Sequence, residues 1–175
     1  VIPQSQWQVL DILKLNNINA HRLQKDTIIE VESYKIESYQ TSKSPYEGHY
    51  AHYNTKVSKS TQKIQFHYGD YVFYTNQPGV KYLLETLEPE AVDSYFNWNF
   101  FDPILQQKEY FSSYVFEDLA KEFLDKNPKI KAELEQKKQN DKAFAENGAA
   151  QLDWVYRQSP YYEKAHLQYP VYRIN

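Results

Sequence analysis

Residues Tyr82–Asp102 read YLLETLEPEAVDSYFNWNFFD, and three kinds of information sit side by side in them. Leu83, Leu84 and Leu87 fall at spacings of one, three and four, which predicts a single buried stripe on a helix. Pro89 interrupts that helix and pushes Glu88 toward an extended backbone. Glu85, Glu88, Glu90 and Asp93 surround the break with carboxylates, and Tyr95, Phe96, Trp98, Phe100 and Phe101 follow at once. Each ring brings roughly 150–250 Å² of surface, so most of the five must be covered. A core plug beside an acidic loop would cover them, and aromatic clusters more often make such plugs than pockets. A ligand groove with aromatic walls and a carboxylate rim would cover them as well.

Before this stretch the pattern is strand-rich. Pro3–Leu15 reads as a short helix, with Ser5 as its cap and Trp7, Val9, Leu10, Ile12 and Leu13 on its apolar side. Ile18–Leu23 is a short strand candidate. Thr27–Tyr39 alternates as a long strand whose phase slips near Ser33–Tyr34, which predicts a bulge there. Lys63–Tyr68 and Asp70–Thr75 look like a hairpin turning at Gly69–Asp70. The turn Asn76–Gly79 is the expected seam. After it, Tyr114–Lys126 and Lys129–Lys142 read as helices, the second mostly solvated, and a last helical segment breaks at Asn147–Gly148. Val171–Ile174 reads as a strand added to a sheet edge. The expected fold is α+β: an antiparallel, sandwich-like sheet in the first half (1–78) with a helix-rich second half (79–175) packed on it, all one domain.

Composition removes several functions. The chain has 175 residues and a net charge of −3. The basic and acidic residues number 8 and 7 up to Pro78 and 12 and 16 after it, so neither part is a nucleic-acid arm. The rings are interleaved with acids, the wrong setting for stacked bases on a phosphate chain. No run approaches the ~18 apolar residues of a membrane span, so no membrane insertion is expected. Cysteine is absent, which excludes disulfides, thiolate nucleophiles and cysteine-bearing zinc sites. Methionine is absent too and the chain starts at Val1, so the sequence is expected to be a piece of a longer product.

Few motifs for chemistry remain. His49 and His52 stand three apart beside Glu47. Gly48 and the flanking tyrosines favour an extended chain, which would point the two imidazoles to opposite faces and away from a shared metal. His67 and Asp70 straddle a turn and are expected to share a turn hydrogen bond. Four glycines cannot build a phosphate-cradling loop, and there is no Gly-x-Ser-x-Gly elbow. Glu88, Glu90 and Asp93 near Trp98 are the one set able to supply an acid and a base, which would need to stand roughly 5–10 Å apart. Acids at a Pro turn are more often a solvated loop or a helix cap.

Four segments resemble a known group. LLETLEPEAVDSYFNWNFFD, YVFEDLAKEFL, NGAAQLDWVYRQSPYYE and the closing YPVYRI are similar to the C-terminal region of bacterial zinc carboxypeptidase-like proteins of the carboxypeptidase A type. The likeness extends over roughly residues 18–175, includes the YEGHY segment and the Asn-Gln-Pro turn, and is strongest from Tyr82 onward. That group holds zinc with a His-x-x-Glu pair and a distant His. No His here is followed three positions later by Glu, so no catalytic or metal residue carries over. The resemblance implies a non-catalytic accessory domain of a periplasmic or extracellular protein, without a cofactor of its own. Zinc is expected in the parent's catalytic domain, and that upstream peptidase domain is the expected partner. The residues expected to form an interdomain face or a subsite for peptide are Trp98, Phe100, Phe101, Tyr172 and Arg173, with Glu88 and Asp93. The alternative is a glycan- or peptidoglycan-binding module, in which ring faces stack on sugars and carboxylates take their hydroxyls.

Overall fold

The computed structural model describes residues 1–174. The chain forms two compact units, Val1–Gln106 with Ala165–Asn175, and Gln107–Lys164. The seam expected at Asn76–Gly79 therefore lies inside the first unit.

In the first unit the order is α1 (Trp7–Leu15), β1 (His21–Arg22), β2 (Thr27–Thr41), β3 (His52–Phe66), β4 (Tyr71–Val72), α2 (Val80–Leu87) and a 3-10 turn at Asp102–Leu105. The class is α+β, as expected, with the antiparallel strands following α1 and preceding the other helices. The strands pair as two two-stranded ladders, β1 with β4 and β2 with β3, and the sandwich-like arrangement goes no further than that.

β2 and β3 run as a long ribbon from Thr27↔Phe66 to Thr41↔His52. Its pairing is continuous through Ser33↔Ser60 and Tyr34↔Lys59, so no bulge marks the slip in hydrophobic phase; the register shifts lie further on, between Ile36 and Gln40. The slip has another cause. Val31 faces a small cluster with Val1, Phe66 and Val72, whereas Tyr34 and Ile36 face the main core. Successive strand residues alternate faces, so the buried face of β2 changes at Ser33–Tyr34 because core lies on both sides there.

The hairpin expected at Gly69–Asp70 does not form either. β3 is already committed to β2, and the turn delivers β4 to β1, with Ile2 bridged to Tyr71 beyond. Asp70, only 4% exposed, accepts from the His67 amide at 2.8 Å and from the Gln4 amide at 2.9 Å. The turn bond expected between His67 and Asp70 is present, and the same carboxylate ties in the N-terminal segment. In α1, Val9, Leu10 and Leu13 are buried, while Trp7 at 62% exposure stands outside the apolar stripe.

The tail lies along β2 through single bridges, Gln168 to Lys35 and Arg173 to Glu32. The core of this unit gathers Leu83, Tyr95, Phe96, Phe101 and Tyr169 against α1 and β2.

The second unit is helical: α3 (Ser113–Lys126), α4 (Pro128–Asn140), α5 (Lys142–Ala145) and α6 (Gly148–Gln158). It has its own core of Phe116, Ala120, Leu134, Phe144, Val155 and Tyr156. Asp141 and Asn147 cap α5 and α6 by accepting from the Phe144 and Ala150 amides. Asn127 precedes Pro128 at the start of α4 but turns its amide back to the Phe123 carbonyl in place of capping. Leu134 is the buried anchor of α4, whose remaining surface is solvated as its sequence predicts.

Candidate ligand-binding site

The ring-rich stretch after α2 makes the first unit's distinctive surface. α2 starts at Gly79, which takes a left-handed conformation (φ 85°), and ends where Glu88 goes extended before the buried Pro89. From there the chain folds into successive turns fixed by two buried polar side chains. The Ser94 hydroxyl donates to the Pro89 carbonyl and accepts from the Asn97 amide. The Asn97 side chain donates to the Ala91 and Val92 carbonyls and accepts from the Thr55 hydroxyl at 2.8 Å. These ties, with Asn99 at φ 67°, decide which rings point in and which out.

Tyr95, Phe96 and Phe101 go inward, Phe101 meeting Tyr169 edge-on at 5.2 Å. Phe101 is 1% exposed and lines neither of the cavities below, so it cannot serve as the contact surface expected of it. Trp98 and Phe100 are half-buried and remain as walls. Both the plug and the groove are therefore present, divided ring by ring. The leucine stripe divides too: Leu83 is buried and Leu84 is 44% exposed.

The remaining expected residues separate into two places. Glu88, Tyr172 and Arg173 line a cavity of about 300 Å³ whose other walls are largely apolar, among them Phe73 and Leu83. Arg173 stands 3.7 Å from Glu88. The Tyr34 hydroxyl lies 2.9 Å from Glu32 Oε1 and 3.1 Å from Glu88 Oε2, with one proton to donate to either. Burial first, then the Glu88 charge, pushes the Tyr34 phenol above its ordinary value, so it remains a donor there.

Asp93, Trp98 and Phe100 line a separate groove of about 550 Å³, joined by Lys81, Tyr82 and Glu85 from α2. The Tyr82 and Tyr95 hydroxyls pair at 2.9 Å along it. The hairpin tip Tyr46–His49 closes with positive φ at Glu47 (49°) and Gly48 (80°), as a two-residue turn of type I′ requires. It sets Tyr46 and His49 against Trp98 at 6.3 and 5.6 Å, and stacks His49 on Phe100 at 6.0 Å. The segment expected to be simply extended is thus reversed at Glu47–Gly48.

The acid–base set does not assemble. Glu88 lines the first cavity, Asp93 the second, and Glu90 pairs with Lys56 at 3.8 Å. His49 and His52 part company as expected. His52 is buried in a three-ring cluster with Tyr39 and Phe96, with Nε2 3.0 Å from Asp102 and Nδ1 2.9 Å from the Thr41 hydroxyl. This hydroxyl–imidazole–carboxylate line joins both ribbon strands to the 3-10 turn. Sequence spacing could not signal it, because Asp102 lies 50 residues from His52. None of its three side chains lines either cavity. Among the described residues no group of three metal-ligating side chains occurs.

Fold and groove together define an α+β protein with a ring-walled surface cleft. No protein-family model, curated protein or solved structure matches the chain.

Proposed function

We propose that this chain is a non-catalytic domain that serves a zinc carboxypeptidase-like catalytic domain of the same polypeptide, outside the cytoplasm, by positioning peptide substrate. The observation that carries the proposal is the convergence of the segments bearing the resemblance. Tyr169, from the closing segment, donates its hydroxyl to the Leu87 carbonyl at 2.8 Å, and Arg173 meets Glu88. The LEPE and YPVYRI pieces, about eighty residues apart in sequence, thereby make one wall of one cavity. Its chemistry suits a peptide end: apolar walls for a side chain, the half-exposed Arg173 guanidinium for a carboxylate, and Glu88 for an amide or ammonium.

The test compares the catalytic domain alone with the same domain joined to this chain, using short peptides with free C-termini. The domain should lower KM with little change in kcat, and Arg173→Ala should remove most of that gain. Identical KM values with and without the chain would refute the proposal.

A further inference from the structure

The second groove goes beyond that proposal and stands on other residues. We infer that it is a binding site for a neutral pyranose oligosaccharide, held by stacking on Trp98 and Phe100 and by hydroxyl hydrogen bonds to Asp93, Glu85 and Lys81.

The walls come first. Trp98 and Phe100 keep part of their ring surface exposed while His49 packs against both. Rings held in that way lose little freedom when a flat apolar face covers them. The C–H face of a pyranose is such a face.

The charges choose the ligand class. The side chains of Lys81, Glu85 and Asp93 line the groove and have no hydrogen-bond or ion-pair partner among the described residues. Exposed unpaired charges are ordinary by themselves; here they edge an aromatic floor. A cationic ligand, which a ring cage favours, would meet Lys81. An anionic one would meet Glu85 and Asp93. A neutral polyol satisfies all three, since each hydroxyl donates to a carboxylate and accepts from an ammonium. The Tyr82 and Tyr95 hydroxyls are already committed to each other and to Asn16, which leaves the charged trio as the polar contacts.

Size agrees. The groove's 550 Å³ falls within the roughly 300–1,000 Å³ of small-molecule sites. The ring row also continues past the groove, because Tyr46, 67% exposed, abuts Trp98. A chain of sugars stacked on Trp98 would meet Tyr46 next.

The experiment titrates the full chain with cellohexaose, maltohexaose and fully N-acetylated chitohexaose. Binding is followed by calorimetry and by saturation transfer from protein to sugar protons. At least one hexaose should bind, with transfer from aromatic protons that disappears in Trp98→Ala. Trp98→Ala and Asp93→Ala should each weaken binding roughly tenfold or more, the scale of an interface anchor, and Tyr46→Ala should weaken it by a smaller factor. Trp154→Phe should change nothing, since Trp154 lies on α6 of the second unit and does not line the groove. Absence of transfer from the wild-type chain to any of these sugars at millimolar concentration would overturn the inference, whether or not the variants fold. Undiminished affinity in folded Trp98→Ala would overturn it as well. The Arg173 peptide assay reads the other cavity, so either result leaves the other interpretable.

Discussion

Asp70→Ala is the substitution that most directly tests why the chain between β3 and β4 reverses as it does. The carboxylate is nearly covered and accepts two backbone N–H groups, one from His67 within the turn and one from Gln4 before α1. A hydrogen bond to a charged group contributes roughly 1.5–3 kcal/mol, so two suggest about 3–6 kcal/mol. Two effects reduce that figure. Removing a buried carboxylate recovers its desolvation cost, and Gln4 and His67 are themselves exposed, so their freed amides can turn to water. The expected loss is therefore about 2–4 kcal/mol. Asp70→Asn, which keeps one acceptor oxygen, should lose about half as much. Urea unfolding gives the magnitude, and an unchanged m-value would show that the unfolded state is not the cause. Amide exchange gives the location: Gln4, His67, Ile2 and Tyr71 should lose protection before β2 and β3 do. A loss below about 0.5 kcal/mol, the scatter of ordinary surface substitutions, would refute the argument that this side chain fixes the path.

Two further outcomes follow from the same structure. Gly48→Val meets open space at the hairpin tip but forces a branched residue into positive φ; it should cost about 1–2 kcal/mol, lower the unfolding midpoint by the few degrees that this energy implies, and shift the Trp98 indole resonance, because Tyr46 and His49 lose their fixed place against it. Burial, before any neighbouring charge, pushes the Tyr34, Tyr95 and Tyr169 phenols above their ordinary value. Their contribution is fully present below the unfolded phenol pKa of roughly 10 and is lost as pH rises through the folded values. Phenolate absorbance from these three should thus appear only as the fold opens; their ionisation near pH 10 with the protein still folded would contradict their burial.

Much of the architecture is legible because local signals suffice for it. The helix over Ser113–Lys126, the stop at Pro89 and the solvated face of Pro128–Asn140 all follow from period, proline and charge. The errors share one physical origin, which is that pairing partners are not local. Gly69–Asp70 has the chemistry of a turn, but turn chemistry does not state which strand the chain will meet. The phase slip at Ser33–Tyr34 is real in the sequence, yet a bulge and a strand covered first on one face and then on the other produce the same slip. Only the second is consistent with the continuous ladder through Ser33↔Ser60.

The site was half legible for a related reason. Composition shows that five rings crowd Tyr95–Phe101, but their directions are set by Ser94 and Asn97, polar residues that no hydrophobic pattern reports. The same limit hid Lys81, whose importance lies in what it does not touch. Elsewhere on the surface Lys126, Lys131, Lys138 and Arg157 each have a carboxylate within 3 Å. Such exposed pairs contribute little to stability, and the charges around the groove could have been paired at as little cost. Leaving three charges of mixed sign unspent beside Trp98 and Phe100 gives up almost no stability while keeping donors and acceptors available to a ligand, and that asymmetry is why the groove, more than the buried His52–Asp102 line, is where a bound molecule should be sought.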